Sequence, residues 1–153
     1  MKPPAIRRAG GADLQAVEAL ENATFSLDRL SRRSLRYFVT TPTATVLLAE
    51  TGGVLEGYCL AAFRKNSRIA RLYSIAIAAH AAGKGLGRVL LGACEAEARA
   101  RGALVMRLEV RPDNAAAIRL YQAMAYVQFG RIEDYYEDDT PALRFEKGLQ
   151  GGD

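Results

Sequence analysis

Between residues 72 and 98 the period of the apolar positions changes. Leu72, Tyr73, Ser74, Ile75, Ala76, Ile77 and Ala78 form a near-continuous apolar run, which predicts a strand buried on both faces. Beyond it Leu86, Val89, Leu90, Ala93, Cys94 and Ala98 recur at spacings of 3, 1, 3, 1 and 4, the stripe of a core-facing helix. The same reading extends over the whole chain. A short strand over 5–8 is broken by Gly10-Gly11. A helix over 12–23 turns Leu14, Val17 and Leu20 inward, with Asp13 near its favourable N-terminus. A second helix over 27–39 stops at Thr40-Thr41-Pro42. Strands over 45–50 and 54–64 flank the turn Thr51-Gly52-Gly53, and the central strand covers 68–78. A helix over 85–100 ends at Arg101-Gly102. A strand over 104–110, a helix over 114–125 and a strand pair over 127–136 and 142–147 complete the chain. The order β-α-α-β-β-β-α-β-α-β-β describes an α/β chain. Its expected form is one domain over 1–153, a mixed, mostly antiparallel central sheet with helices on both faces.

Where the strand gives way to the helix stand Gly83, Lys84, Gly85, Leu86, Gly87 and Arg88. A glycine-rich turn that opens a helix gathers backbone N–H groups at the positive end of the helix dipole, a site suited to phosphate. Two known phosphate loops fail on spacing. A Walker A loop needs Ser or Thr after its lysine, and Gly85 follows Lys84. A Gly-x-Gly-x-x-Gly fingerprint needs glycine where Arg88 or Leu90 stands. What remains is x-x-Gly-x-Gly, with Ala82, Gly85 and Gly87 as its fixed positions. The same turn without a ligand is the plain structural alternative.

This pattern resembles the coenzyme A pyrophosphate loop of the GNAT superfamily of N-acetyltransferases. Ala82 departs from the usual Gln or Arg, and Lys84 and Arg88 are placed to restore charge. Downstream, Leu108-Glu109-Val110-Arg111, Asn114, Ala117-Ile118 and Leu120-Tyr121 are similar to the second half of the acetyl-CoA site in bacterial ribosomal-protein-alanine N-acetyltransferases. The resemblance spans 6–149 and is strongest over 74–126. It implies the GNAT fold and acetyl-CoA as co-substrate. It also implies a general base at Glu109, a proton donor at Tyr121 and a pantetheine contact at Asn114. A splayed central strand would then receive the pantetheine arm through the backbone of Ile75, Ala76 and Ile77. Met124-Ala125-Tyr126 stands where relatives carry Leu-Gly-Phe/Tyr, so Ala125 must end its helix without glycine's ease at positive φ.

Taken as residues alone, these positions stay ambiguous. Alternation puts Met106, Leu108 and Val110 on one face of their strand and Arg107, Glu109 and Arg111 on the other. Glu109 is then either a solvated member of a charged row or a base for a protonated amine. Flanking arginines that lie close hold a carboxylate ionised and weaken it as a base. Tyr121 is either an anchored core aromatic or an acid, and Asn114 is an N-cap in either case. Arg29, Arg32, Arg33 and Arg36 fall on one helix face, as solvated charge or as a docking stripe. The acidic stretch 133–139 is either an exposed turn or a lure for a cationic amine, and the two charged regions are placed to pair with each other.

Composition narrows the class. The net charge is +4, with arginine well in excess of lysine. That suits a coenzyme with three phosphate groups without implying nucleic acid. No apolar run reaches the length of a membrane span, and none near the start resembles a signal peptide. Cys59 and Cys94 fall in core elements and read as reduced, cytoplasmic thiols. One histidine and two cysteines make a metal site unexpected. The expected activity is acetyl transfer from acetyl-CoA to a primary amine by direct attack in a ternary complex. A protein N-terminal α-amine is favoured over lysine or a small-molecule amine, in a monomer or homodimer. The alternatives are a non-catalytic acyl-CoA-binding regulator of the same fold and a basic interaction module without a ligand.

Overall fold

The computed structural model describes residues 4–149. Strand β1 (Ala5–Arg8) leads through a 3-10 turn into helices α1 (Leu14–Thr24) and α2 (Arg32–Thr40). Strands β2 (Ala44–Thr51), β3 (Val54–Phe63) and β4 (Ile69–Ile77) follow. Helix α3 (Leu86–Ala100), strand β5 (Val105–Val110), helix α4 (Ala115–Ala123) and strands β6 (Val127–Ile132) and β7 (Ala142–Gly148) come next. The order of elements is the one predicted. The strands form a single sheet, β1-β2-β3-β4-β5-β7-β6. Every pairing is antiparallel except β4–β5. A parallel pair needs a long crossover, and α3 supplies it.

Alternation along the strands divides the apolar side chains between two cores. Leu47, Cys59, Met106 and Leu108 pack under α3 and α4 with Leu90, Leu91 and Tyr121. Val46, Leu48, Tyr58 and Leu60 pack under α1 and α2 with Val17 and Leu35. Cys59 and Cys94 are buried free thiols with their Sγ atoms 3.0 Å apart. One buried carboxylate, Glu95 on α3, is satisfied by Lys147 Nζ at 2.9 Å and by the Tyr126 hydroxyl at 2.8 Å. Removing one partner of such a buried pair costs about 3–5 kcal/mol.

A bulge turns β4 over in mid-strand. Leu60 faces Ser74 and Ala61 faces Leu72, which leaves Tyr73 as the extra residue. One extra residue exchanges the two faces of a strand. Before it, Ala70 and Leu72 belong to the core under α3; after it, Ile75 and Ile77 pack there. Ala76 crosses to the core under α1. The expectation that the central strand is buried on both faces does not hold along its first half. Ile69 and Tyr73 are 38% and 42% exposed, because the α1–α2 layer leaves that end of the sheet uncovered.

Two more boundaries differ. Helix α2 begins at Arg32, with Ser31 Oγ accepting from Ser34 N, so Arg29 lies outside it and cannot join a helical stripe. Its guanidinium bonds the Phe25 carbonyl. Strand β6 ends at Ile132 rather than at 136, because residues 133–141 form a loop with Asp134 and Asp139 at positive φ. That acidic loop does not pair with the arginines of α2. Glu133 bonds Arg131, Asp138 bonds Arg111, and Arg32 reaches Glu18.

Helix α4 closes with a Schellman motif. Tyr126 N bonds Tyr121 O at 2.9 Å and Ala125 N bonds Gln122 O at 3.1 Å, the paired bonds that satisfy the last carbonyls of a helix. The rings of Tyr121 and Tyr126 meet at 5.8 Å and supply the apolar contact of the motif. Ala125 takes φ +73° here, a left-handed conformation in which its Cβ costs about 1–2 kcal/mol. Replacing Ala125 with Gly is expected to raise the stability of the fold by about 0.5–1 kcal/mol, the strain relieved less glycine's backbone entropy. Chemical denaturation with an unchanged slope is the check; a loss of stability would show that the strain is not there.

Candidate active site

Strands β4 and β5 pair over only three positions, Ile69 with Val105, Ala70 with Met106 and Arg71 with Arg107. Beyond them β4 runs on to Ile77 and β5 to Val110 without facing each other. Each strand keeps its outer partner, β3 for one and β7 for the other. The inner edges of 72–77 and 108–110 therefore carry unpaired backbone groups into a wedge at the carboxyl ends of the strands, where open α/β sheets place their ligands. Ile75 lines this wedge, while Ala76 is buried against β3.

The glycine loop stands at the top of the same gap. Gly83 and Gly85 take φ +79° and +76°, values that a side chain would oppose. Gly85 is the N-cap of α3. Among the described residues, no N–H from Gly83, Lys84, Gly85, Leu86, Gly87 or Arg88 finds a backbone or side-chain acceptor. Gly87 is needed for closeness, since a Cβ there would stand 3.3 Å from Leu120 on α4. The contact seats the loop against the helix that carries Tyr121. Lys84 and Arg88 are exposed beside it. Unpartnered N–H groups, a helix dipole and two cations are the features that suit a turn to phosphate oxygens.

A cavity of about 160 Å³ lies in the wedge. Tyr73, Ser74 and Ile75 line it from β4; Glu109, Val110 and Arg111 from β5; and Asn114, Ala117 and Tyr121 from α4 and its cap. Sequence candidates from three elements thus converge on one space. Asn114 Oδ1 caps α4 through the Ala117 N–H at 3.2 Å, and its amide nitrogen has no acceptor among the described residues. Tyr121 is 6% exposed, with its ring against Tyr126 and Phe145. Burial raises its phenol well above the ordinary tyrosine value, and Tyr136 adds to the shift. Its hydroxyl therefore stays protonated across the physiological range.

Glu109 is half-buried, with its side chain only 6% exposed. Its partners differ from the flanking arginines that alternation suggested. Arg71 on β4 holds one oxygen at 2.5 Å, and Arg144 on β7 holds the other at 3.2 Å. Arg107 turns to Glu146 at 2.9 Å. Arg111 spans the mouth of the cavity. It bonds Asp28 in the α1–α2 connection at 2.7 Å and Asp138 in the β6–β7 loop at 3.0 Å. It also stacks on Tyr136 at 4.5 Å.

One member of the site was not singled out from the sequence. Glu21 on α1 is 1% exposed, lines the cavity and has no cationic partner among the described residues. Its carboxylate accepts from Tyr58 Oη, from Ser74 Oγ at 3.0 Å and from Leu30 N at 2.8 Å. Three donors satisfy it and tie the α1–α2 connection to the sheet. The signal was present: Leu14, Val17 and Glu21 share one helix face, so the carboxylate had to enter the core. Arg71 and Arg144 left no such signal, because which residues meet across β4, β5 and β7 depends on register. Arg32 and Arg36 face a groove against Gln15 and Leu14, away from this cavity.

Known proteins share this fold. A [Ribosomal protein bS18]-alanine N-acetyltransferase of Salmonella typhimurium is 39% identical over 67 residues, 44% of this chain and 45% of that one. The match thus spans less than half of that relative. The crystal structure of the ribosomal-protein-S18-alanine N-acetyltransferase from Escherichia coli superimposes with a TM-score of 0.85 at 23% identity, over 95% of this chain and 94% of that one. A putative acetyltransferase from Salmonella typhimurium, solved with its cofactor acetyl-CoA, gives a TM-score of 0.82 at 24% identity over 97% and 95%. Residues 14–126 match the acetyltransferase (GNAT) family, and the chain belongs to that family.

Proposed function

We propose that the protein transfers an acetyl group from acetyl-CoA to a primary amine, with a protein N-terminal α-amine as the favoured acceptor. The observation that carries the reading is the convergence of three features on one wedge. They are the early parting of β4 and β5, the unpartnered N–H groups over 83–88, and the meeting of Glu109 with Tyr121. The likeness to bS18-alanine acetyltransferases favours a protein N-terminus.

The residues fit the co-substrate. The loop N–H groups, with Lys84 and Arg88, suit a pyrophosphate. The free edge of 75–77 suits the amides of a pantetheine arm by strand-like pairing, and Asn114 offers its amide nitrogen beside it. When bound, acetyl-CoA supplies an activated thioester, and N–H groups of β4 beside it polarise the carbonyl. Glu109 takes the proton that the amine must lose, directly or through one water. To do so it loosens one of its two arginine bonds. Tyr121 gives its proton to the departing thiolate. Its raised affinity for that proton makes it a weak acid but keeps it loaded. As the C–N bond forms and the C–S bond breaks, the second N–H proton leaves the nitrogen and reloads the Tyr121 phenolate, and Glu109 afterwards releases its proton to solvent.

The first measurement is thiol release from acetyl-CoA with peptides of varied N-terminus, lysine peptides and polyamines. Release confined to one acceptor class names the substrate type. No release with any acceptor overturns the proposal.

Tyr121→Phe is expected to lower turnover ~10–1000-fold, the range for loss of one acid–base group. Because the folded phenol titrates above its ordinary value near 10, the wild-type rate should show no alkaline fall from this group below about pH 10. An unchanged rate in the variant would reduce Tyr121 to packing.

Glu109→Gln is expected to lower kcat/KM about 100-fold near pH 7. The deficit should shrink as pH rises through the α-amine value of about 8, where the acceptor sheds its proton unaided. A deficit constant with pH would assign Glu109 to structure instead.

A further inference from the structure

On the open face of the sheet a second cavity of about 470 Å³ borders the reaction site, sharing Glu109 and Tyr73 with it. We propose that this groove holds the body of the acceptor and selects one that carries a carboxylate close to its reactive amine. The proposal rests on the acetyl-transfer reading and goes beyond it by naming the chemical class of the acceptor.

The electrostatics are one-sided. Arg64, Arg71, Arg107 and Arg144 line the groove. The carboxylates that answer them are Glu109, shared by Arg71 and Arg144, and Glu146, bound to Arg107. Four guanidiniums against two carboxylates leave a surplus of two positive charges. Arg64 has no ion-pair partner among the described residues. Among the described residues the buried Arg71 Nε has no acceptor, although burying a donor unpaired is costly. A carboxylate from outside answers the surplus and gives Arg64 a partner.

Three of the guanidiniums are also held in place before any ligand arrives. Arg107 and Arg144 lie over the Phe129 ring at 4.7 and 4.6 Å. Arg71 lies over Tyr73 at 4.8 Å and donates to Tyr135 Oη at 2.8 Å. Stacking fixes a planar fork and lowers the entropy lost on binding. Strand register explains the cluster. Arg71 faces Arg107 across the last β4–β5 pair, and Glu109 faces Arg144 across β5–β7. These charges therefore share one face just below the point where the strands part. An acceptor whose amine reaches Glu109 extends along them, between the aromatic walls of Tyr37 and Phe63.

The test is calorimetric binding of tetrapeptides with Asp or with Asn at the second and third positions, to the full chain with coenzyme A. The same peptides then serve as acceptors for acetyl transfer. Free aspartate and glutamate form a separate arm that tells a small amino acid from a peptide source. Acidic peptides should bind about tenfold or more tightly than neutral ones, the size of one charge-assisted hydrogen bond. The preference should weaken with added salt and appear in KM rather than kcat. Arg64→Glu should abolish it, so that the acidic and neutral peptides bind alike. Equal binding of acidic and neutral ligands, or a preference that survives Arg64→Glu, overturns the proposal. Displacement of the acidic peptide by a short single-stranded RNA at lower concentration also overturns it, by assigning the groove to phosphates. Acidic preference in binding with no transfer to any acceptor would retain the groove and reject the acetyl-transfer reading.

Discussion

Everything at the site depends on where the parallel pair β4–β5 stops. Three paired positions join the two halves of the sheet, and beyond them the strands diverge while each remains hydrogen-bonded on its outer edge. A sheet ordinarily leaves no backbone edge unpaired in its middle, because unpaired groups away from water cost free energy. Here the gap opens at the carboxyl ends into the cavity that both strands line. The Tyr73 bulge lies two residues past the last pair. It directs Ser74 to Glu21 while Ile75 remains at the wedge. The cap of α4, Glu21 and Glu109 all border the cavity in that gap.

Much of this was legible in the chain. Period-two and period-3.6 patterns located every strand and helix in order, because apolar burial imposes those periods directly. The glycine loop was legible because positive φ at Gly83 and Gly85 demands residues without a Cβ. Asn114 could be read as a cap and Ala125 as a strained helix end, since both are local properties of a few residues. Pairing across the sheet was not legible. Glu109 meets Arg71 and Arg144, separated from it by 38 and 35 residues, while its sequence neighbours Arg107 and Arg111 bond elsewhere. The face exchange at Tyr73 escaped for a related reason. A bulge is set by the partner strand's register, and an apolar run carries no mark of it.

The arginine surplus has a similar history. Read along the chain, it is a mild positive charge suited to an acidic coenzyme. Read in space, much of it is spent on neighbouring carboxylates: Arg7 on Asp13 and Glu50, Arg101 on Glu97, Arg107 on Glu146 and Arg111 on Asp28 and Asp138. Exposed pairs of this kind contribute little each. Their worth lies in fixing side chains that have many rotamers. Among the described residues, those left without an ion pair include Arg33 and Arg36 on α2 as well as Arg64 on the open sheet face and Arg88 at the glycine loop.

Arg111 has a mechanical consequence. One guanidinium holds the α1–α2 connection through Asp28 and the β6–β7 loop through Asp138. These two segments are far apart in sequence and make up opposite walls of the entrance. Neither segment is placed independently of the other: the reach of one side chain sets the width between them.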